Sequence, residues 1–204
     1  MVDNVVTRFG IVLFPGFALL DVAGPMQFFN QLSAKQPFEL SIIAKTMDPV
    51  STVPPKDTVP NSKFQYILLV PGGLGLRDKI VFNEIAAFIK ASYSSLKYLL
   101  SVCTGSTAIA ATGILDGRKA TSNKYAWSWV TQFKNVNWIP KARWVVDGNI
   151  WSSSGVAAGM DMTYAFISTV LSPDIATELA NTMEYEPHTD SEWDPFSDIW
   201  KASS

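Results

Sequence analysis

The chain carries one cysteine and one histidine among its 204 residues. A single cysteine excludes an internal disulfide framework and fits a reducing compartment, so a cytoplasmic setting is expected. With only one histidine besides, the chain falls short of the three or four soft ligands a zinc site uses, and no metal is expected. Long apolar runs are also missing: none approaches the roughly 18–20 residues of a membrane span. The N-terminal stretch meets Asp3 and Arg8 before any signal-peptide core forms. No long basic run occurs, and 16 basic against 18 acidic side chains give a formal net charge of −2. Nothing therefore points to nucleic acid or an anionic membrane as a partner. Charged residues make up 17% and apolar ones 48%, which excludes a disordered chain. The length suits one domain, or one domain with an arm.

What is present is an alternation of short apolar runs with helical patterns. Phe9–Phe14, Phe38–Ala44, Tyr66–Val70 and Tyr98–Val102 read as strands buried on both faces of a parallel sheet. Trp144–Val146 and Asn149–Ser152, broken at Asp147-Gly148, predict a hairpin. Asn83 is placed to cap a helix whose Ile85, Phe88, Ile89 and Ser92 share one face. Met160, Tyr164, Ile167 and Leu171 keep helical spacing after Gly159, and Ser172-Pro173-Asp174 is a helix start. The alternation predicts a layered α/β fold. Residues 48–62, rich in Pro, Ser and Thr, read as a surface loop. From Glu184 to Asp198 six acids occur without a lysine or arginine, but Tyr185, Trp193, Phe196 and then Trp200 argue for an ordered arm. The expected division is a domain over residues 1–183 and an acidic, aromatic arm over 184–204. Five tryptophans between Trp127 and Trp151 read as core and interface packing rather than ligand stacking.

The sharpest chemical feature is Ser101-Val102-Cys103-Thr104-Gly105-Ser106. It follows a strand pattern and opens a helical stretch, Thr107–Thr112, with small residues two positions either side of Cys103. That is the layout of a nucleophile elbow, whose sharp turn leaves no room for larger neighbours. A cysteine at a helix N-terminus, on the carboxyl edge of a sheet, is favoured as a thiolate. Its usual partner is histidine. The one histidine, His188, lies in the acidic tail, which disfavours a Cys-His triad. Asp21 is the alternative partner. It sits among Leu19, Leu20, Val22 and Ala23 with no cation nearby, so desolvation would raise its pKa and let it hand over a proton. A plain helix-start acid near Gly24-Pro25 accounts for the same spacing. The backbone N–H groups of Gly72 and Gly73, with that of Thr104, could form an anion hole, although Pro71-Gly72-Gly73 is also an ordinary turn. Asp161 reads as a helix cap.

The segments FPGFALLDVAGP, LLVPGG, SVCTGS, ILDGRKAT and SSSGVAAGMD, in that order over about residues 8–183, resemble the ThiJ/PfpI superfamily. The resemblance implies a class I glutamine amidotransferase-like, flavodoxin-type fold: a three-layer sandwich around a mainly parallel central sheet. The chain is most similar to the isonitrile hydratase branch, through Asp21, where many relatives carry glutamate, and through Cys103, Thr104 and Gly105 at the elbow. For that branch the resemblance implies a carbon–nitrogen lyase with Cys103, Asp21 and Thr104 as catalytic residues. Cys103 attacks the terminal carbon of R–N≡C, Asp21 protonates or orients, and water hydrolyses the thioimidate to an N-substituted formamide. Gly72, Gly73 and Thr104 supply backbone N–H groups to the sulfur or to an anion beside it. The resemblance further implies a homodimer acting on a small molecule without metal or organic cofactor. Thr104 and Asn123 stand where many relatives have histidine, which removes the Cys-His dyad of protease-like members. No helix-turn-helix segment accompanies the domain.

Two other functions fit the same residues. One is glyoxalase-like activity on 2-oxoaldehydes, which a small polar pocket would favour, whereas an apolar pocket favours the hydratase. The other is a redox sensor, which needs an exposed thiolate of low pKa.

Overall fold

The computed structural model describes residues 8–36, 39–48 and 66–203. The apolar runs form strands because side chains that are apolar on both faces need cover on both. Eight strands are described: β1 (Arg8–Val12), β2 (Glu39–Ile43), β3 (Tyr66–Val70), β4 (Leu96–Ser101), β5 (Lys119–Ala120), β6 (Asn137–Trp138), β7 (Trp144–Asp147) and β8 (Ile150–Ser153). Six of them form one sheet in the order β2-β1-β3-β4-β8-β7. All its pairings are parallel except β7 with β8, the expected hairpin, which closes one edge antiparallel. β5 and β6 make a small parallel pair beside it. In β3 the side chains from Ile67 to Val70 are all buried, as a central strand requires. Of the loop expected at 48–62, residues 49–62 lie outside the described residues.

Seven α-helices surround the strands: α1 (Leu19–Ser33), α2 (Lys79–Ser92), α3 (Gly105–Ala110), α4 (Trp127–Val130), α5 (Val156–Val170), α6 (Pro173–Thr182) and α7 (Phe196–Ile199). α1, α5 and α6 pack together, and α2 packs on α3, so the sheet lies between two helical layers. α1 reaches the sheet by stacking Phe29 on Phe9, their ring centroids 3.7 Å apart. α5 does so through Phe166, which meets Trp151 and Tyr98 edge to face. α6 starts as expected: Ser172 caps it by accepting the Asp174 N–H, and Pro173 fills the first turn. The cap of α2 is Asp78 rather than Asn83. Its carboxylate takes the Ile80 and Val81 N–H groups, while Asn83 lies exposed within the helix. The buried face of α2 still carries Ile85, Ile89 and Ser92. No helix among the described residues is long and apolar enough to cross a membrane.

The chain leaves β4 through one residue in the left-handed region, Cys103, at φ 57°. A side chain there strains the backbone by about 1–3 kcal/mol. α3 begins two residues later, tight against the exit of β3: a Cβ on Gly105 would sit 2.2 Å from the Val70 carbonyl oxygen. Gly72 meets the same turn from the other side, since its Cβ would fall 2.6 Å from the Thr104 nitrogen. Two glycines thus bring the ends of β3 and β4 into backbone contact. Gly105→Ala is expected to destabilise the fold by at least about 2 kcal/mol in urea unfolding, because the atom it meets is main chain and cannot swing aside.

Candidate active site

Cys103 stands at the carboxyl edge of the sheet, fastened from two sides. Its N–H donates to the Ser154 carbonyl at 2.9 Å, and its own carbonyl accepts the Ser122 hydroxyl at 2.8 Å. The residue is buried, with 8% of its surface exposed. Three groups bond the sulfur in its ionised form: the Thr104 N–H, the Thr104 hydroxyl and the Asn123 side chain. They are outweighed. Burial first, and then the negative charge of Asp21, push the Cys103 thiol up to about 12. Both effects favour the neutral thiol over the thiolate expected from a helix N-terminus. The six-residue α3 does not offset the burial.

Asp21 is the third residue of α1 and has no exposed surface. Its Oδ2 accepts the Gly72 N–H at 2.9 Å, and its buried Oδ1 has no hydrogen-bond partner. Burial pushes the carboxyl up to about 7, against the pull of the Gly72 N–H and then of the Cys103 thiol. Both candidate residues thus come together, each made harder to ionise by the loss of water.

The expected anion hole is different in detail. The Gly72 N–H is committed to Asp21, and the Gly73 N–H donates to Thr104 Oγ1 at 3.1 Å. Neither is free for a ligand. Of the three donors only the Thr104 N–H meets the sulfur. Gly73 acts through Thr104: by filling a lone pair of Oγ1 it leaves that hydroxyl's single proton for the sulfur. Asn123 was visible in the sequence only as a position without histidine. Its Oδ1 accepts the Ala126 N–H at 3.1 Å, which leaves its amide group to the sulfur. A pocket of about 400 Å³ is lined by Cys103, Thr104 and Asn123, by Arg77 and Tyr125, and by apolar Phe17, Leu19, Leu74 and Ala126.

Two further ion pairs are buried, Arg143 with Asp161 and Lys124 with Asp194. Asp161 lies inside α5 and caps nothing. Its Oδ2 takes two Arg143 nitrogens at 2.6 Å, and its Oδ1 takes the Tyr185 hydroxyl and, at 2.9 Å, the His188 N–H. The Tyr185 phenol is pushed up by burial and by Asp161. The His188 ring rests against Trp193 in the arm. Lys124 directs its protons to Thr121 Oγ1 and to the Ser122 and Ala142 carbonyls, with the Asp194 carboxylate 3.5 Å away as counter-charge. Burial lowers the Lys124 ammonium to about 8, against the raising effect of Asp194. Arm residues thereby fix the segment that carries Ser122 and Asn123. Of the five tryptophans, Trp127, Trp138, Trp144 and Trp151 are buried, and Trp129 is half-buried beneath Arg77. Among the described residues no group of three or more His, Cys, Asp or Glu could hold a metal ion.

A family profile described as the DJ-1/PfpI family matches residues 7–169. The chain is similar to the isonitrile hydratase of Pseudomonas putida, with 28% identity over 186 residues that cover 88% of this chain and 79% of that protein. Among solved structures it is similar to a ThiJ/PfpI family protein from Pseudomonas syringae, at a TM-score of 0.70 and 27% identity, covering 89% of this chain and 76% of the other. Drosophila melanogaster DJ-1beta also superposes with a TM-score of 0.70, covering 89% of this chain and all of that one, at 15% identity: a likeness of fold alone.

A carboxyl whose pKa rises from 3.8 to about 7 on folding contributes its full stability below the unfolded value and loses it as pH climbs through the folded one. Keeping Asp21 buried therefore costs up to about 4 kcal/mol at pH above 7. The stability of Asp21→Asn relative to wild type should improve by up to that amount between pH 4 and pH 8, read by urea unfolding at both.

Proposed function

The chain belongs to the DJ-1/PfpI family, and from that premise we propose that it is an isonitrile hydratase, a cofactor-independent carbon–nitrogen lyase that uses Cys103 as nucleophile and Asp21 as proton carrier. One observation carries the reading: a buried carboxyl with an unbonded oxygen lies beside the thiol, at an apolar pocket, with no imidazole among the thiol's contacts. Because burial and their mutual repulsion both oppose a second charge, the pair keeps one proton once the carboxyl has ionised. As the sulfur attacks the terminal carbon of R–N≡C, Asp21 takes the thiol proton and passes it to that same carbon. A C–S and a C–H bond form, giving the thioimidate R–N=CH–S–Cys103. Water then adds to the carbon, one of its protons passing through Asp21 to nitrogen. The C–S bond breaks, the sulfur recovers a proton, and R–NH–CHO leaves. The net change is addition of one water, with no redox step. Thr104 and Asn123 hold the sulfur while it carries charge.

Apolar walls favour an isonitrile over a 2-oxoaldehyde, whose carbonyl oxygen, held at the sulfur, would need the N–H groups that Gly72 and Gly73 have already committed. A buried neutral thiol is poorly suited to a redox sensor. A homodimer belongs to the same proposal: Leu19 and Leu74, which line the pocket, are 61% and 75% exposed, and a second copy would cover their outer surface. Sedimentation that finds only monomer at micromolar concentration rejects that part.

The enzyme reading is tested with a simple aliphatic isonitrile, following formamide. Wild type should turn over, Cys103→Ala should not, and Asp21→Asn should lose about 10²–10⁴-fold in kcat/KM. In wild type kcat/KM should climb with pH through about 7, as the pair gives up its first proton. Folded, reduced protein that yields no formamide rejects the hydratase.

A further inference from the structure

Among the residues lining the Cys103 pocket, Arg77 is the one with a charged side chain. It closes the 3-10 turn Leu74–Arg77 that follows Gly73. Its guanidinium lies over the Trp129 ring, 3.7 Å from the centroid. Stacking of this kind covers one flat face and leaves the N–H edges open in the plane. Trp129 is itself braced by Phe82 from α2, at 6.2 Å. Arg77 is thus held in place by an aromatic face, not by an acid.

Its lack of an acid partner sets it apart. The chain's other three arginines are all paired: Arg8 with Glu39, Arg118 with Asp147 and Arg143 with Asp161. Arg77 has no ion pair or hydrogen bond among the described residues. The adjacent acid, Asp78, is committed to the cap of α2, its Oδ1 taking the Ile80 and Val81 N–H groups at 2.8 and 3.3 Å. An oriented, solvent-exposed guanidinium fork without a counter-charge, on the wall of a mostly apolar pocket, matches one planar monoanion.

We infer that Arg77 binds a carboxylate, and that the substrate is an isonitrile whose apolar body ends in that group. The inference rests on the hydratase reading for the isonitrile, but not for the anion. With R–N≡C at the sulfur and the body against Phe17 and Leu19, the carboxylate reaches the open edge of the guanidinium. Charge then selects among isonitriles of equal size.

The test uses two readouts on wild type and Arg77→Met, which keeps an unbranched side chain over Trp129; near-UV circular dichroism confirms folding. The first compares alkylation of the single cysteine by 4-(iodoacetamido)benzoate and by 4-(iodoacetamido)benzamide, whose ring sets the charge about as far from the sulfur as in the isonitrile, followed by intact mass. It requires no enzymatic activity. The second compares kcat/KM for para-isocyanobenzoate and para-isocyanobenzamide. In each, the anion-to-neutral rate ratio should fall about tenfold in the variant. An alkylation ratio unchanged within about twofold overturns the anion site, whether or not isonitriles are hydrated. A fall in the alkylation ratio without hydration of any isonitrile supports the anion site and rejects the hydratase. A fall in alkylation with an unchanged hydration ratio overturns the carboxylate substrate.

Discussion

Two acids, a carboxyl and a thiol, are buried side by side with too few donors for two charges. The Asp21 carboxyl receives one N–H, from Gly72. The sulfur has Thr104 and Asn123. Burial and the repulsion between the two negative charges both oppose the second ionisation, so one proton stays with the pair. That constraint explains the architecture around it. The Cys103 turn, the Gly72 exit and the start of α1 come from three separate parts of the chain, and the sheet brings them to one edge. The strained φ at Cys103 is kept because Ser122 and Ser154 hold its backbone from both sides.

Much of the fold was legible because its signals are local. β3 follows its apolar run from end to end, the β7–β8 hairpin breaks at Asp147-Gly148, and α6 opens on a hydroxyl and a proline. α1 was harder to see because Gly24 and Pro25 lie inside it. Pro25 gives up one helical hydrogen bond. Gly24 makes room for α5, since a Cβ there would lie 2.7 Å from Met160 Cγ. The cap of α2 was misplaced because Asp78 and Asn83 are both good capping residues, and five positions separate them on one sequence.

The candidate site was legible in its members more than in their states. The turn chemistry marked Cys103, and the apolar neighbours of Asp21 implied desolvation. That Cys103 rests as a thiol depends on burial and on a neighbour far away in sequence. That the Gly72 and Gly73 N–H groups are already bonded depends on the same long-range packing. Asp161 shows the limit from the other side. A capping role was reasonable beside Gly159, whereas its true partners, Arg143 and Tyr185, arrive from β7's approach and from the arm.

The arm reaches back to the pocket at several points. Asp194 faces Lys124, Trp200 packs edge to face on Tyr125, and the Ser203 carbonyl accepts the Trp127 indole N–H. These contacts fasten the stretch that presents Ser122 and Asn123 to the cysteine. During synthesis the cysteine leaves the ribosome long before the residues that lock this stretch. A growing chain therefore carries its nucleophile without its finished surroundings, and the order of translation itself delays the chemistry until the arm has been made.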